Sequence, residues 1–188
     1  MDLAGKTFLV TGANTGIGFG TALGLAELGA TVIMVCRNPE RGKSARAEIA
    51  HQTGNDALYL QIADLASQSD IRKLAQEITM QFDRLHCLIN NAAVVPAQRE
   101  VTVDGLEMQF AVNHLAPFLL TNLLLDLLRT SAPARIITVS SDLHHSAQLE
   151  FDDLQLERSY KRGRAYNQSK LANVLFLWDW GGAWTGVV

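Results

Sequence analysis

Residues 6–29 hold the feature that most restricts how this 188-residue chain can fold. A short apolar run, Lys6–Val10, passes directly into Thr11-Gly12-Ala13-Asn14-Thr15-Gly16-Ile17-Gly18 and then into an apolar helical stretch ending near Gly29. Strand, glycine-rich turn and helix in that order bring backbone N–H groups and the positive end of a helix dipole to one point, which is where a pyrophosphate is held. Glycines there let the chain turn tightly and approach phosphates without a Cβ in the way. The spacing is G-x-x-x-G-x-G rather than the commoner G-x-G-x-x-G. Gly12, Asn14, Thr15, Gly16, Ile17 and Gly18 are therefore candidate cofactor contacts.

The alternation continues along the chain. Apolar runs at Thr31–Cys36, Ala57–Ala63, Leu85–Ile89 and Arg135–Val139 are separated by helical periods. That pattern predicts a doubly wound parallel sheet, Rossmann-like, with the first strand central and helices on both faces. Asn38 reads as an N-cap with Pro39 at the first helical position and Gly54 closing that helix. Ser67 and Asp70 have capping-box spacing. One long helix is expected over Leu106–Arg129, and a charged loop, Asp142–Arg164, leads to the last helix.

Composition excludes several classes. A hydrophobic content of 48% suits one domain with its own core, needing neither disulfides nor metals. The net charge of −3 argues against a nucleic-acid-binding surface. Cys36 and Cys87 lie in apolar strands and read as buried free thiols in a reducing compartment. The first strand begins too early for a signal peptide, and the apolar run 118–128 is too short and too polar to span a membrane. A cytoplasmic protein is the expectation. His144-His145 has no further ligands at metal spacing, so no metal site is expected. No G-x-S-x-G elbow surrounds Ser140-Ser141.

Two further places speak to chemistry. The second strand ends in Cys36-Arg37-Asn38, with no acid to bond a ribose 2′-hydroxyl. A guanidinium suits a 2′-phosphate instead, which predicts NADP(H) over NAD(H). Tyr166 and Lys170, four residues apart, share one face of the last helix. An ammonium near a phenol favours the phenolate, giving the proton donor and acceptor that carbonyl reduction or alcohol oxidation requires.

With these residues assembled, residues 1–177 resemble the short-chain dehydrogenases/reductases, specifically the retinol-dehydrogenase-like and WW-domain-containing-oxidoreductase-like branch. The resemblance is carried by TGANTGIG at Thr11–Gly18, CRN at Cys36–Asn38 and Asp64-Leu65. It continues through NNAA at Asn90–Ala93, the stretch Asp104–Thr121 with VNHL, RIITVSS at Arg135–Ser141, and YNQSKLANVLF at Tyr166–Phe176. It implies that Asp64 and Leu65 lie near the adenine and that Asn90 to Ala92 flank the adenosine ribose. It further implies that Asn113 distorts its helix to hold a relay water, Ser141 bonds the substrate oxygen, Tyr166 is the acid/base, and Lys170 binds the nicotinamide ribose and assists Tyr166. The expected partner is a small alcohol or carbonyl compound, retinol-like or otherwise apolar.

Two substitutions depart mildly from the pattern, Ala93 for the usual glycine of NNAG and Ala116-Pro117 for Gly-His. Pro117 is expected to alter the bend beside Asn113. After Phe176 the agreement ends: residues 178–188 form a divergent tail with all three tryptophans of the chain. The family's last strands and substrate lid are not recognisable there, so a truncated or alternatively spliced product is expected. In such a product the fifth strand becomes a sheet edge, homo-oligomers become doubtful, and activity is impaired.

Overall fold

Period-two burial along the strands decides which helices go to which face. In the computed structural model, which describes residues 2–183, β1 (Thr7–Thr11) buries Leu9 toward one side and Val10 toward the other. β2 (Thr31–Cys36) does the same with Ile33 and Val35 against Val32, Met34 and Cys36. Strands buried on both faces read as continuous apolar runs and belong in parallel sheets covered on both sides. The sheet is parallel with order β3-β2-β1-β4-β5, where β3 is Leu58–Ile62, β4 is Cys87–Asn90 and β5 is Arg135–Thr138.

One face is covered by α1 (Gly16–Glu27) and α2 (Pro39–Thr53), through Ala22, Ala26, Ala45 and Ile49. The other is covered by α3 (Gln68–Gln81), whose Ile71, Leu74, Ala75 and Ile78 recur at helical spacing, and by a later helical segment. Local signals set the ends of these helices. The Asn38 carboxamide accepts from Arg41 N–H at 2.9 Å, and Gly54 takes the left-handed conformation at φ 67°. Ser67 Oγ accepts from Asp70 N–H at 3.2 Å, while the Asp70 carboxylate reaches Asp64 N–H at 3.3 Å.

The single helix expected over Leu106–Arg129 is not observed. The chain forms α4 (Met108–Phe110), a π-helical turn (Ala111–Leu115), α5 (Ala116–Leu123) and α6 (Leu125–Thr130). Two causes are visible. The buried Glu107 carboxylate accepts from Gln109 and Phe110 N–H, at 2.9 and 2.7 Å, and so sets the start. Four residues beyond Asn113, Pro117 has no N–H to return to the Asn113 carbonyl, and Ala116 N–H reaches back to Ala111 instead.

α7 (Arg162–Ala183) carries Tyr166 and Lys170 and continues beyond residue 177. Residues 184–188, the end of the divergent tail, lie outside the described residues. Among the described residues β3 and β5 are the two edges of the sheet, and Ile137 of β5 is 45% exposed. Cys36 and Cys87 are buried and unpaired, and burial raises both thiols to about 11. Among the described residues, no helix is long and apolar enough to cross a membrane.

Candidate active site

A crevice of about 410 Å³ opens where the chain crosses from β1 to its two neighbours. In an open parallel sheet this is the switch point at the carboxyl ends of the strands. Gly12, Asn14, Thr15, Ile17 and Gly18 line it, together with Arg37, Asn38, Asp64, Leu65 and Ala92; Tyr166 and Lys170, also expected as cofactor contacts, do not line it. Gly16 lies just outside, in a surface trough shared with Asn14, Thr15 and Arg41.

The glycines are required by contact as well as by conformation. Gly12 sits at φ 67°, and a Cβ on Gly18 would stand 2.3 Å from the Gly12 carbonyl oxygen. Loop and helix therefore touch backbone to backbone. Thr15 caps α1 without a side-chain hydrogen bond, and the first turn carries no acid. The first-turn N–H groups meet neither a capping side chain nor a competing carboxylate, which leaves them suited to an anion. These residues fit the pyrophosphate of a dinucleotide.

Asn90 does not line the crevice. It is 3% exposed and lies behind the wall, its Nδ2 donating to Thr121 Oγ1 at 3.1 Å. Its neighbour Asn91, which sequence reasoning left within a motif, does line it. Asn91 Nδ2 donates to the Thr11 carbonyl at 2.8 Å, and Thr11 Oγ1 accepts from Asn91 and Ala92 N–H, both at 3.0 Å. Thr11 thus staples the end of β1 to the segment after β4. Arg41 was also missed, although an arginine one turn after Arg37 was visible in the sequence; both stand on the crevice rim.

The remaining four residues gather around α7. Lys170 is 2% exposed, its Nζ donating to Val139 O at 2.7 Å and lying 5.6 Å from the Tyr166 ring centroid. Burial lowers the Lys170 pKa from its ordinary value. Ser140 Oγ donates to Lys170 O at 3.1 Å, tying the serine pair to this helix. Ser141 Oγ accepts from Leu143 N–H at 3.3 Å and starts the 3-10 turn Asp142–Ser146, which packs on α7. Asn113, 1% exposed, sits in the π turn and donates from Nδ2 to Ser169 Oγ at 3.2 Å. The local helix distortion expected at Asn113 is present.

A short chain dehydrogenase family model matches residues 6–151. Retinol dehydrogenase 11 of Mus musculus is 47% identical over 176 residues, covering 94% of this chain and 56% of that protein. The chain spans about half the length of the curated relatives it matches. An uncharacterized protein from Mycobacterium paratuberculosis superposes with a TM-score of 0.82 at 37% identity, over 95% of this chain and 62% of that one. The Pseudomonas aeruginosa RhlG/NADP active-site complex gives 0.74 at 31% identity, over 93% and 65%. With the glycine-loop crevice and the parallel sheet, these matches establish that the chain belongs to the short-chain dehydrogenase/reductase family, in its retinol-dehydrogenase-like branch.

Proposed function

We propose that this chain binds NADP(H) and acts on an alcohol or carbonyl substrate, retinol-like or otherwise apolar. When bound, the cofactor supplies or receives the hydride. Gly12, Gly16 and Gly18 take its pyrophosphate, with Asn14, Thr15 and Ile17 beside them. Arg37 and Arg41 take the 2′-phosphate, where no acid stands at the end of β2 to favour a 2′-hydroxyl. Asp64 and Leu65 border the adenine, and Ala92, with Asn90 behind it, borders the ribose. Tyr166 exchanges a proton with the substrate oxygen, Ser141 hydrogen-bonds that oxygen, and Lys170 holds the nicotinamide ribose. Asn113 keeps the π turn in place beside them.

The observation that carries this reading is the buried Lys170. Withdrawing an ammonium from water costs several kcal/mol after relaxation, roughly, and a strand-end carbonyl repays only part of it. A fold alone has little use for that arrangement 5.6 Å from the centre of a tyrosine ring; proton transfer does. The test is a titration of the purified chain with NADPH and NADH, followed by NADPH oxidation with a panel of carbonyl compounds. NADPH should bind about ten-fold tighter or better, the worth of a charge-assisted contact. Equal affinity for the two cofactors, or none, sinks the assignment.

A second reading, cofactor binding without turnover, is favoured by Lys170 itself, whose Nζ is taken by Val139 O and does not line the crevice. NADPH binding with no oxidation of it across the panel would select this reading.

A further inference from the structure

Asn113 is held from two separate parts of the chain, the segment after β4 and α7. Its Oδ1 accepts from Val94 N–H at 2.8 Å, and its Nδ2 donates to Val94 O at 3.1 Å and to Ser169 Oγ. Its own carbonyl, denied a bond from Pro117, accepts from Asn173 Nδ2 at 2.8 Å. Asn173 is 1% exposed, and its Oδ1 lies 3.0 Å from His114 Nδ1. The amide orientation follows from the network: flipping Asn173 would set oxygen against oxygen at the Asn113 carbonyl. With Nδ2 donating there, Oδ1 must accept, so His114 carries its proton on Nδ1.

Val94 comes after β4 has ended at Asn90, yet both its N–H and its C=O are taken, by one side chain. Asn113 therefore pairs with Val94 much as a neighbouring strand would. Val94 lines the crevice on the β4 side, whereas Arg37 and Arg41 line it on the β2 side, across β1. We propose that Asn173 is a positioning residue: by filling the carbonyl that Pro117 leaves open, it fixes Asn113 and, through it, the crevice wall at Val94. This rests on the reading of the crevice as a dinucleotide site.

Asn173→Asp tests the brace. It keeps the shape and the acceptor toward His114, but replaces the donor to Asn113 by a second oxygen. Amide exchange at Val94 should accelerate about ten-fold or more as the local brace opens. NADPH affinity should fall about three- to ten-fold, the worth of one buried hydrogen bond, while affinity for 2′,5′-ADP, which on that reading reaches the β4 side no further than Ala92, stays unchanged. A merely structural role would weaken both ligands together and leave their ratio as in the wild type. If Asn173→Asp does not fold, Pro117→Ala/Asn173→Asp restores an N–H opposite the Asn113 carbonyl and should recover protection at Val94. Wild-type exchange at Val94 in Asn173→Asp, an unchanged NADPH to 2′,5′-ADP ratio, or no recovery in the double variant overturns the proposal. A wild-type chain that binds neither ligand sinks the dinucleotide reading alone, and exchange at Val94 then decides this one.

Discussion

The β2 side of the crevice and the β4–β5 side are built from different chemistry. On the β2 side the contacts are main-chain amides, glycines and two rim guanidiniums, laid over an apolar core of Val32, Met34, Ala45 and Ile49. On the other side, polar side chains are themselves buried: Asn113, Thr121, Gln168, Ser169, Lys170 and Asn173. A site that receives phosphates needs donors that face outward, and backbone at a helix start provides them without burying a charge. A site that moves a proton needs groups fixed away from water, and those must satisfy one another.

The largest expected effect separates the two sides. Tyr166→Phe removes the proposed proton donor and leaves the β2 side intact, so turnover should fall about a hundred-fold or more with NADPH affinity retained. Near wild-type turnover would end the acid/base assignment. Next is Gly18→Ala, whose methyl meets the Gly12 carbonyl rather than a flexible side chain. Such overpacking costs about 1–3 kcal/mol, and thermal unfolding together with loss of NADPH binding should register it. An unaltered melting temperature and affinity would mean the loop yields without cost.

Arg37→Asp is a smaller change, confined to the rim. It should erode the NADPH over NADH preference by about ten-fold with little effect on stability, since Arg37 is exposed. Arg41 beside it should retain part of the preference. Unchanged selectivity would shift the 2′-phosphate role to Arg41 or remove it.

The smallest effect lies at the opposite end of the sheet. His86 is buried, and its Nδ1 accepts from Thr7 N–H at 3.0 Å, a bond the imidazolium cannot keep. Burial first, then the charges of Lys6 and Arg84, hold its pKa below the ordinary histidine value. The unfolded chain therefore takes up a proton near pH ~6.5 that the folded chain refuses. Stability from this group is full above that pH and declines as the pH falls toward the folded value. His114, lowered chiefly by burial, contributes with the same sign. His86→Gln should flatten part of the decline in unfolding midpoint below that pH; an identical slope in the variant would rule His86 out as its source.

Sequence reading succeeded where a signal is complete within one turn of chain. Asn38, Pro39 and Gly54 bracket α2 as expected, and Ser67 with Asp70 opens α3. It failed over Leu106–Arg129, where apolar periodicity runs on although the hydrogen-bond register changes at Asn113. Proline inside a helical pattern was the available clue, but the π turn also depends on partners elsewhere. Asn90 illustrates the same limit: the motif placed two asparagines together, and only the folded sheet turned one inward and the other into the crevice wall.

By itself the sequence determined the alternating elements, the glycine loop, the caps and the guanidinium at the end of β2, because each is encoded by residues adjacent along the chain. Only the tertiary structure decided how the polar groups on the β4–β5 side satisfy one another. Thr11 meets Ala92 across 81 positions, Asn113 meets Val94 across 19, and Asn173 meets the Asn113 carbonyl across 60. Such bonds leave no period to read. They form because a buried donor or acceptor must find whichever partner the packed sheet and helices bring beside it.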